Sequence, residues 1–306
     1  MKMASRLLAV LSVAGLSAAA MAQPNSTYIA LADSVGFGIT TGASYSQISN
    51  GDRGYVSLVA DWFGSQNGGT RPGVLNLSVF GDSTGSFGTT TNPARALNTN
   101  YAALPVSQSA RFAAAVAAET GAGRTISAVT VSLGANDLLQ VIQQPGFQLL
   151  PAPQQVALVG AALQTAQTNL VQIYAGLRAA LPTTPIIAVG YYDAFAALPS
   201  QPDPTNPLAP FNPNPAFTAA ATVSLNQIIE GVATAFGARY VDVFSAFAGQ
   251  EAVLTNMVLD QTTAFNVHPT PAGYQVIAGQ IIPAPGVAAL LGLAGLVAVR
   301  RRRSAA

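Results

Sequence analysis

Five short apolar segments recur along the chain, separated by longer segments with helical spacing. They cover residues 27–32, 74–80, 126–133, 185–191 and 240–243. Each is a nearly continuous run of mostly Val, Ile, Leu and Ala rather than an alternation of apolar and polar positions. Such runs are typical of parallel strands that are covered on both faces. The pattern therefore predicts five buried parallel strands.

Helical spacing dominates the intervening segments. In residues 55–63, apolar side chains recur at intervals of three and four, at Val56, Val59, Ala60 and Phe63. Further helices are predicted over residues 110–118, 156–181, 215–236 and 270–282. Strands that alternate with helices indicate βαβ units, and hence an α/β domain with helices on both sides of a parallel sheet.

Three irregular stretches interrupt this alternation. Residues 85–100 are rich in Gly, Thr and Asn, residues 144–154 contain three prolines, and residues 199–215 contain seven. Each follows a predicted strand end, which is the side of an open α/β sheet where ligands bind. Loops of this length are often functional rims or lids, and inert surface insertions are the alternative.

The first 22 residues have the pattern of an export signal. Lys2 and Arg6 form a positive region, residues 7–20 are apolar, and Ala20-Met21-Ala22 is a small-residue cleavage site. An N-terminal membrane anchor is the alternative, but it needs a longer apolar span.

The last 24 residues combine a proline motif, Pro283-Ala-Pro285, an apolar run over residues 287–299 and the tract Arg300–Arg303. This arrangement resembles the PEP-CTERM sorting signal of Gram-negative bacteria, with Ala284 in place of that motif's Glu. The resemblance implies a sorting protease (an exosortase) as a partner and a transient membrane contact through the segment. It also implies export to the periplasm, the outer surface or the extracellular matrix. A buried C-terminal helix is the alternative.

Charge and cysteine content exclude several classes of function. Between residues 23 and 282 the chain has seven arginines, no lysine and twelve acidic residues, a net charge of −5. Because no basic patch exists there, nucleic acid is not expected as a partner. The absence of cysteine excludes disulfides and thiolate metal sites, and a single histidine leaves no histidine pair for a metal.

Two residues are candidates for nucleophilic chemistry. Asp33-Ser34 directly follows the first predicted strand, so the Ser34 hydroxyl stands at the sheet edge where ligands bind. Taken alone, it could equally be a turn or helix-capping residue. A serine nucleophile needs a neighbouring base, and His268 is the only histidine in the chain. Taken alone, it could be an ordinary core or surface residue.

Two further strand ends could stabilise an oxyanion. Asn136 follows the third predicted strand, where its side-chain amide could donate a hydrogen bond, although an N-cap or Asx-turn is an equal alternative. Gly81 follows the second, and its backbone N–H could approach a substrate oxygen because no side chain intervenes.

Together, Asp33-Ser34, Gly81, Gly134-Ala-Asn136 and His268-Pro269 occur in the order of the sequence blocks of SGNH hydrolases, also called GDSL esterases or lipases. The resemblance implies a three-layer α/β/α sandwich with a five-stranded parallel, flavodoxin-like sheet over residues 23–282. It implies that Ser34 is the nucleophile and His268 the base. The oxyanion hole would be the Ser34 and Gly81 amides and the Asn136 side chain. The substrate would be an ester, of a lipid or an acetylated sugar, and no cofactor would be needed.

The chain departs from the family pattern at two places. The first block reads Ala32-Asp-Ser34, where the family usually has Gly-Asp-Ser. A literal Gly81-Asp-Ser83 stands at the second strand end, but we favour Ser34 because of its position after the first strand. Phe265 occupies the place, three residues before the histidine, where the family has an aspartate. We expect Asn266, Asp260 or a backbone carbonyl to orient the ring instead.

The sequence thus predicts an exported serine esterase that cleaves an ester through a Ser34 acyl-enzyme. The alternative, motivated by Phe265, is a catalytically weak or inactive surface protein that binds polysaccharide or envelope material. A structural biofilm component has only the sorting tail in its favour.

Overall fold

The computed structural model describes residues 25–40, 52–101, 106–198, 215–260 and 266–282. The predicted export and sorting segments, the proline-rich residues 199–214 and Phe265 lie outside these ranges, so their assignments remain predictions. Within the described ranges, no helix combines the length and the apolar character that a membrane span requires.

The centre of the molecule is a sheet of five parallel strands in the order β2-β1-β3-β4-β5. The strands are β1 (Ser26–Ala32), β2 (Gly73–Asn76), β3 (Thr125–Ser132), β4 (Ile186–Val189) and β5 (Arg239–Val241). From β1 the chain moves to one side of the sheet, and from β2 it crosses back to the other. The order therefore reverses between β1 and β3, and such a switch point is where open α/β sheets bind ligands.

Helices cover both faces of this sheet. They are α1 (Ser34–Phe37), α2 (Gly54–Gln66), α3 (Gln108–Gly121), α4 (Ala135–Ile142), α5 (Ala152–Ala180), α6 (Pro215–Ala235), α7 (Val243–Phe247), α8 (Glu251–Leu254) and α9 (Pro271–Ile281). One layer is built on the contact between α2 and α9, which α1, α7 and α8 join, and the other on α3, α4, α5 and α6. The predicted α/β/α sandwich with a five-stranded parallel sheet is confirmed.

The predicted elements are present, with shifted ends. The second strand is shorter than predicted: regular strand structure ends at Asn76, although hydrogen bonds to β1 continue to Val79. Residue 243 begins α7 rather than ending β5. Two predicted loops contain regular structure: residues 85–100 include the 3₁₀ helix Pro93–Leu97, and residues 144–154 include the 3₁₀ helix Phe147–Leu149. The prediction missed α4 and the short helices α1, α7 and α8, which have too few turns for a periodic signal.

The strand register brings three strand ends together. Ala32 at the end of β1 is paired with Ser132 at the end of β3. Beyond β2 the chain continues alongside β1, because Val79 donates its N–H to the Ala32 carbonyl at 2.9 Å. Residues 33–34, 80–82 and 134–136 therefore emerge at one edge of the sheet.

The turn after β1 leaves no room for a side chain at Gly36. A Cβ there would collide with the Ala32 Cβ and would lie 2.7 Å from Ser78 Oγ. The backbone conformation of Gly36 is an ordinary helical one, so space rather than φ requires glycine. The close packing of α1 on β1 therefore depends on this residue.

We expect Gly36→Ala to lower the free energy of unfolding by about 1–3 kcal/mol, because overpacking a buried site forces its neighbours apart. The matched control is Gly160→Ala, at an exposed position inside α5 where an added Cβ meets no atom within 4 Å. That change is expected to stabilise the protein by about 0.5–1 kcal/mol. Urea denaturation measures both, and equal effects of the two substitutions would contradict the packing argument.

Candidate active site

The Ser34 turn is held by the buried side chain of Asp33. One carboxylate oxygen of Asp33 accepts the Val35 N–H at 2.8 Å, which caps α1, and the other accepts the Tyr191 hydroxyl at 2.7 Å. The Asp33 N–H donates to the Ser132 carbonyl at 3.1 Å. The turn is thereby attached to both β3 and the end of β4. Burial raises the pKa of Asp33 to about 7, although the hydrogen bonds from Tyr191 and Val35 oppose the rise.

The Gly81 turn rests on a second buried carboxylate, that of Asp82. Gly81 has a φ of +74°, which favours glycine, so its peptide turns away from the strand direction. Asp82 is fully buried and accepts hydrogen bonds from four side chains. They are Asn92 at 2.8 Å, Ser86 at 2.8 Å, Gln108 at 2.9 Å and Arg95 at 3.3 Å. The sequence reasoning did not assign Asp82 a role, and the Gly81-Asp-Ser83 turn motif was the available signal.

Asn136 lies in the first turn of α4 and does not cap it. Gly134 is the N-cap residue, with a φ of +134°. The Asn136 side-chain amide instead donates to the Asp82 carbonyl at 2.8 Å. The neighbouring Asp137 accepts the Thr84 N–H and hydroxyl at 2.9 and 2.7 Å. These contacts hold the amide of Asn136 beside the Gly81 turn.

His268 reaches the same edge of the sheet from the segment before α9. Its ring centroid lies 6.0 Å from that of Phe80, the residue before Gly81. The backbone on both sides of the ring is held, because Tyr192 donates its hydroxyl to the Val267 carbonyl at 2.8 Å and Asn256 donates its N–H to the His268 carbonyl at 2.9 Å.

An amide, not a carboxylate, contacts the inner nitrogen of the His268 ring. Asn266 Oδ1 lies 2.7 Å from His268 Nδ1 and 3.2 Å from the His268 N–H. Asn266 Nδ2 donates to Asp260 Oδ2 at 2.8 Å and to the Thr40 carbonyl at 3.0 Å. Both residues that we expected to orient the ring are therefore connected to it: Asn266 contacts the ring, and Asp260 contacts Asn266.

These four contacts determine the orientation of the Asn266 amide. If the amide were rotated by half a turn, its oxygen would face the oxygens of Asp260 and Thr40, and its NH₂ would face the His268 N–H. The observed orientation presents an acceptor to Nδ1, so the proton of the neutral ring belongs on Nδ1. The lone pair is then on Nε2, where a base needs it. Burial lowers the pKa of His268 to about 4, so the ring is neutral in mildly acidic solution.

Ser34 and Asn136 line one cleft, to which Val267 also contributes. Gly81 and His268 are not among the residues that line it; His268 directly follows Val267, and its ring lies near that of Phe80, the residue before Gly81. Between Ser34 and His268 themselves, both within the described ranges, there is no direct hydrogen bond. In ligand-free enzymes such bonds are often long and tighten on substrate binding. Ser83 belongs instead to a local turn, where its N–H donates to Ser86 Oγ at 2.9 Å.

The sequence model of the GDSL-like lipase/acylhydrolase family matches residues 33–276. The chain belongs to this family. Membership in the GDSL-like family supports hydrolysis of ester substrates as the class of reaction. The matched stretch begins at Asp33, at the first of the sequence blocks.

Solved structures with the same fold include three lipolytic enzymes. A lipase from a goat rumen metagenome, Lip_vut3, has 14% identity and a TM-score of 0.54, over 83% of this chain and 95% of that one. An extracellular lipase from Streptomyces rimosus has 18% identity and a TM-score of 0.53, over 83% and 99%. Phospholipase A1 from Streptomyces albidoflavus has 18% identity and a TM-score of 0.51, over 83% and 98%. At these identities the likeness shows the GDSL-like fold. No curated protein sequence matches the chain.

The raised pKa of Asp33 predicts a pH-dependent stability. In the unfolded chain an aspartate has a pKa of about 3.9, and in the folded protein Asp33 has a pKa of about 7. The folded state therefore binds more protons between these values, and the free energy of unfolding falls as the pH rises. Asp33→Asn cannot ionise, and its amide can still accept the Val35 N–H.

We expect the wild type to lose about 4 kcal/mol relative to Asp33→Asn between pH 4 and pH 8. Urea denaturation across this pH range measures the difference. The raised pKa of Asp193, about 6, affects both proteins equally and cancels. Parallel stability profiles would show that Asp33 does not titrate as described.

Proposed function

We propose that the protein hydrolyses carboxylic esters through a covalent acyl-enzyme on Ser34. The observation that carries the proposal is that Ser34 and Asn136 line one cleft while the only histidine of the chain reaches the same sheet edge with its Nδ1 held by an acceptor. A nucleophile, an oxyanion donor and a base of defined tautomer are the components that acyl transfer from an ester requires.

The reaction follows from these positions. Ser34 Oγ attacks the ester carbonyl carbon while His268 Nε2 takes the hydroxyl proton. The carbonyl oxygen becomes an oxyanion, which accepts hydrogen bonds from the Ser34 and Gly81 amides and the Asn136 side chain. When the C–O bond of the ester breaks, His268 returns the proton to the leaving alcohol. Water then attacks the acyl-enzyme by the same route and releases the acid.

Asn266 and Asp260 are assigned to positioning in this mechanism. Asn266 holds the ring with Nδ1 protonated, and Asp260 holds Asn266 in the orientation that does so. Because an uncharged amide touches the ring, the imidazolium formed during the reaction is less stabilised than beside a carboxylate. In return, the low pKa keeps the His268 ring neutral, and therefore able to act as a base, at a lower pH than an ordinary histidine would allow.

Ser34→Ala is expected to abolish labelling by a fluorophosphonate probe, because such probes modify the activated serine of serine hydrolases. Ser83→Ala is the matched control, since Ser83 lies in the other Asp-Ser pair of the chain and is held in a turn. It is expected to label as the wild type does. Labelling that survives Ser34→Ala, or that is lost in Ser83→Ala, would show that the assignment of Ser34 as the nucleophile is wrong. In-gel fluorescence and peptide mass spectrometry provide the readout.

Exchanging Asn266 and Asp260 tests the positioning assignment. In the double variant Asn266→Asp/Asp260→Asn, the carboxylate contacts the ring and the amide stands behind it. A carboxylate beside Nδ1 favours the imidazolium, so the pKa of His268 is expected to rise by about one unit or more from its wild-type value, which is about 4. The acid limb of the kcat/KM profile should shift upward with it.

Because the chain contains one histidine, imidazole ¹⁵N shifts of protein purified without a histidine tag report this pKa and tautomer directly. The single variant Asp260→Asn is the control, since it keeps an amide on the ring and should leave the pKa near the wild-type value. A double variant whose histidine titrates as in the wild type would exclude contact between residue 266 and the ring.

A catalytically weak protein that binds polysaccharide or envelope material is the second candidate function. The amide in place of a carboxylate on Nδ1 favours it, because loss of the carboxylate in serine-protease triads lowers kcat by about 10⁴. A folded protein that neither labels nor turns over p-nitrophenyl esters would support this candidate. Turnover that Ser34→Ala abolishes would exclude it.

A further inference from the structure

Two helices, α4, which carries Asn136, and α6, form the walls of the cleft that contains Ser34. On α4, Ala135, Leu138, Leu139 and Ile142 recur at intervals of three and four, so they form one stripe along the helix. On α6, Phe217, Ala221 and Leu225 recur every fourth residue. The two stripes line the same cleft and make its long walls mainly apolar, with Thr218 and Thr222 as the polar residues of α6 among them.

The walls are held in place by contacts with the rest of the fold. Asn226 accepts the Tyr191 N–H at 2.8 Å and donates to the Tyr191 carbonyl at 2.7 Å, which fixes α6 to the end of β4. Phe217 packs against the buried ring of Phe147, with centroids 6.1 Å apart. Leu225 lies so close to Gly134 that a Cβ there would be 3.0 Å from Leu225 Cδ1. The apolar walls therefore begin next to the oxyanion turn and form a preformed slot.

The charges of the cleft limit what can enter it. No arginine, lysine or histidine is among the described residues that line it. Its two carboxylates already have donors: Asp33 accepts from Val35 and Tyr191, and Asp193 accepts the Thr218 hydroxyl at 2.9 Å. A phosphate or a second carboxylate on the bound group would find no cation, and a quaternary ammonium would find carboxylates that are already hydrogen-bonded. An uncharged alkyl group is the ligand that such walls favour.

We propose that the cleft between α4 and α6 binds the acyl chain of the ester, and that this chain is a linear, uncharged alkyl chain of medium length. The proposal rests on the function proposed above, because it requires the ester carbonyl to lie at Ser34 and Asn136. From Ala135 to Ile142 the α4 stripe rises about 10 Å, which sets the length of wall available. Residues on this stripe and on α6 then determine acyl specificity.

Ala221→Phe places a ring in the cleft and is expected to exclude the far part of the chain. Each buried methylene contributes appreciably to the discrimination between substrates, so several together give at least a tenfold effect. The wild type should have a higher kcat/KM for p-nitrophenyl octanoate than for p-nitrophenyl acetate. In Ala221→Phe the octanoate-to-acetate ratio should fall at least about tenfold. Ala220→Phe is the matched control, because Ala220 is exposed on the same helix and does not line the cleft. It should leave the ratio unchanged.

The outcomes separate this proposal from the proposed function. A labelled, active protein that prefers acetate, or an octanoate-to-acetate ratio that Ala221→Phe leaves unchanged, overturns the acyl cleft and leaves the esterase intact. If the wild type is neither labelled nor able to hydrolyse either ester, both the acyl cleft and the proposed function are wrong. A fall in the ratio confined to Ala221→Phe supports the acyl cleft, and fluorophosphonate labelling of each variant shows that its Ser34 is still activated.

Discussion

The buried carboxylate of Asp82 is the interaction on which the site's architecture depends. Its four side-chain donors come from the loop between β2 and α3 and from the start of α3, so one charge gathers residues that are up to 26 positions apart. Gln108 extends the network to the Ala32 carbonyl at 3.2 Å, two residues before Ser34. The Asp82 carbonyl in turn accepts the Asn136 amide. A fully buried carboxylate is stable only with such partners, and removing one of them leaves an uncompensated charge.

Hydrogen bonds also fix the side chain of His268, the proposed base, with a different outcome. Burial alone would leave the His268 ring free to choose either tautomer, and the Asn266 amide removes that choice by presenting only an acceptor to Nδ1. The amide can do so because Thr40 and Asp260 hold its other end. Asn266 orients the ring, and the carboxylate of Asp260 stands behind the amide without contacting the ring. A carboxylate in direct contact would raise the ring pKa rather than leave it low.

Much of this arrangement was predictable, for reasons that differ between residues. The strands and long helices follow from local periodicity. The clustering of Ser34, Gly81 and Asn136 follows from their positions after strands, whereas His268 stands just before α9. The helix α4 was missed although it carries Asn136, because eight residues give little more than two turns of periodic signal. Asp82 was missed because its neighbours in the sequence look like those of any exposed turn, and its burial depends on α3 packing over it.

The sequence by itself determined which elements form, their order along the chain and which residues stand at the strand ends. These properties depend on near neighbours, since the periods of helix and strand and the turn after a strand are set within a few residues. Only the tertiary structure decided what the amide of Asn266 touches, because Thr40 is 226 residues away from it along the chain. It also decided that α4 and α6 enclose an apolar cleft beside Ser34. Each stripe alone is only an amphipathic face, and their meeting depends on how the helices pack across the sheet.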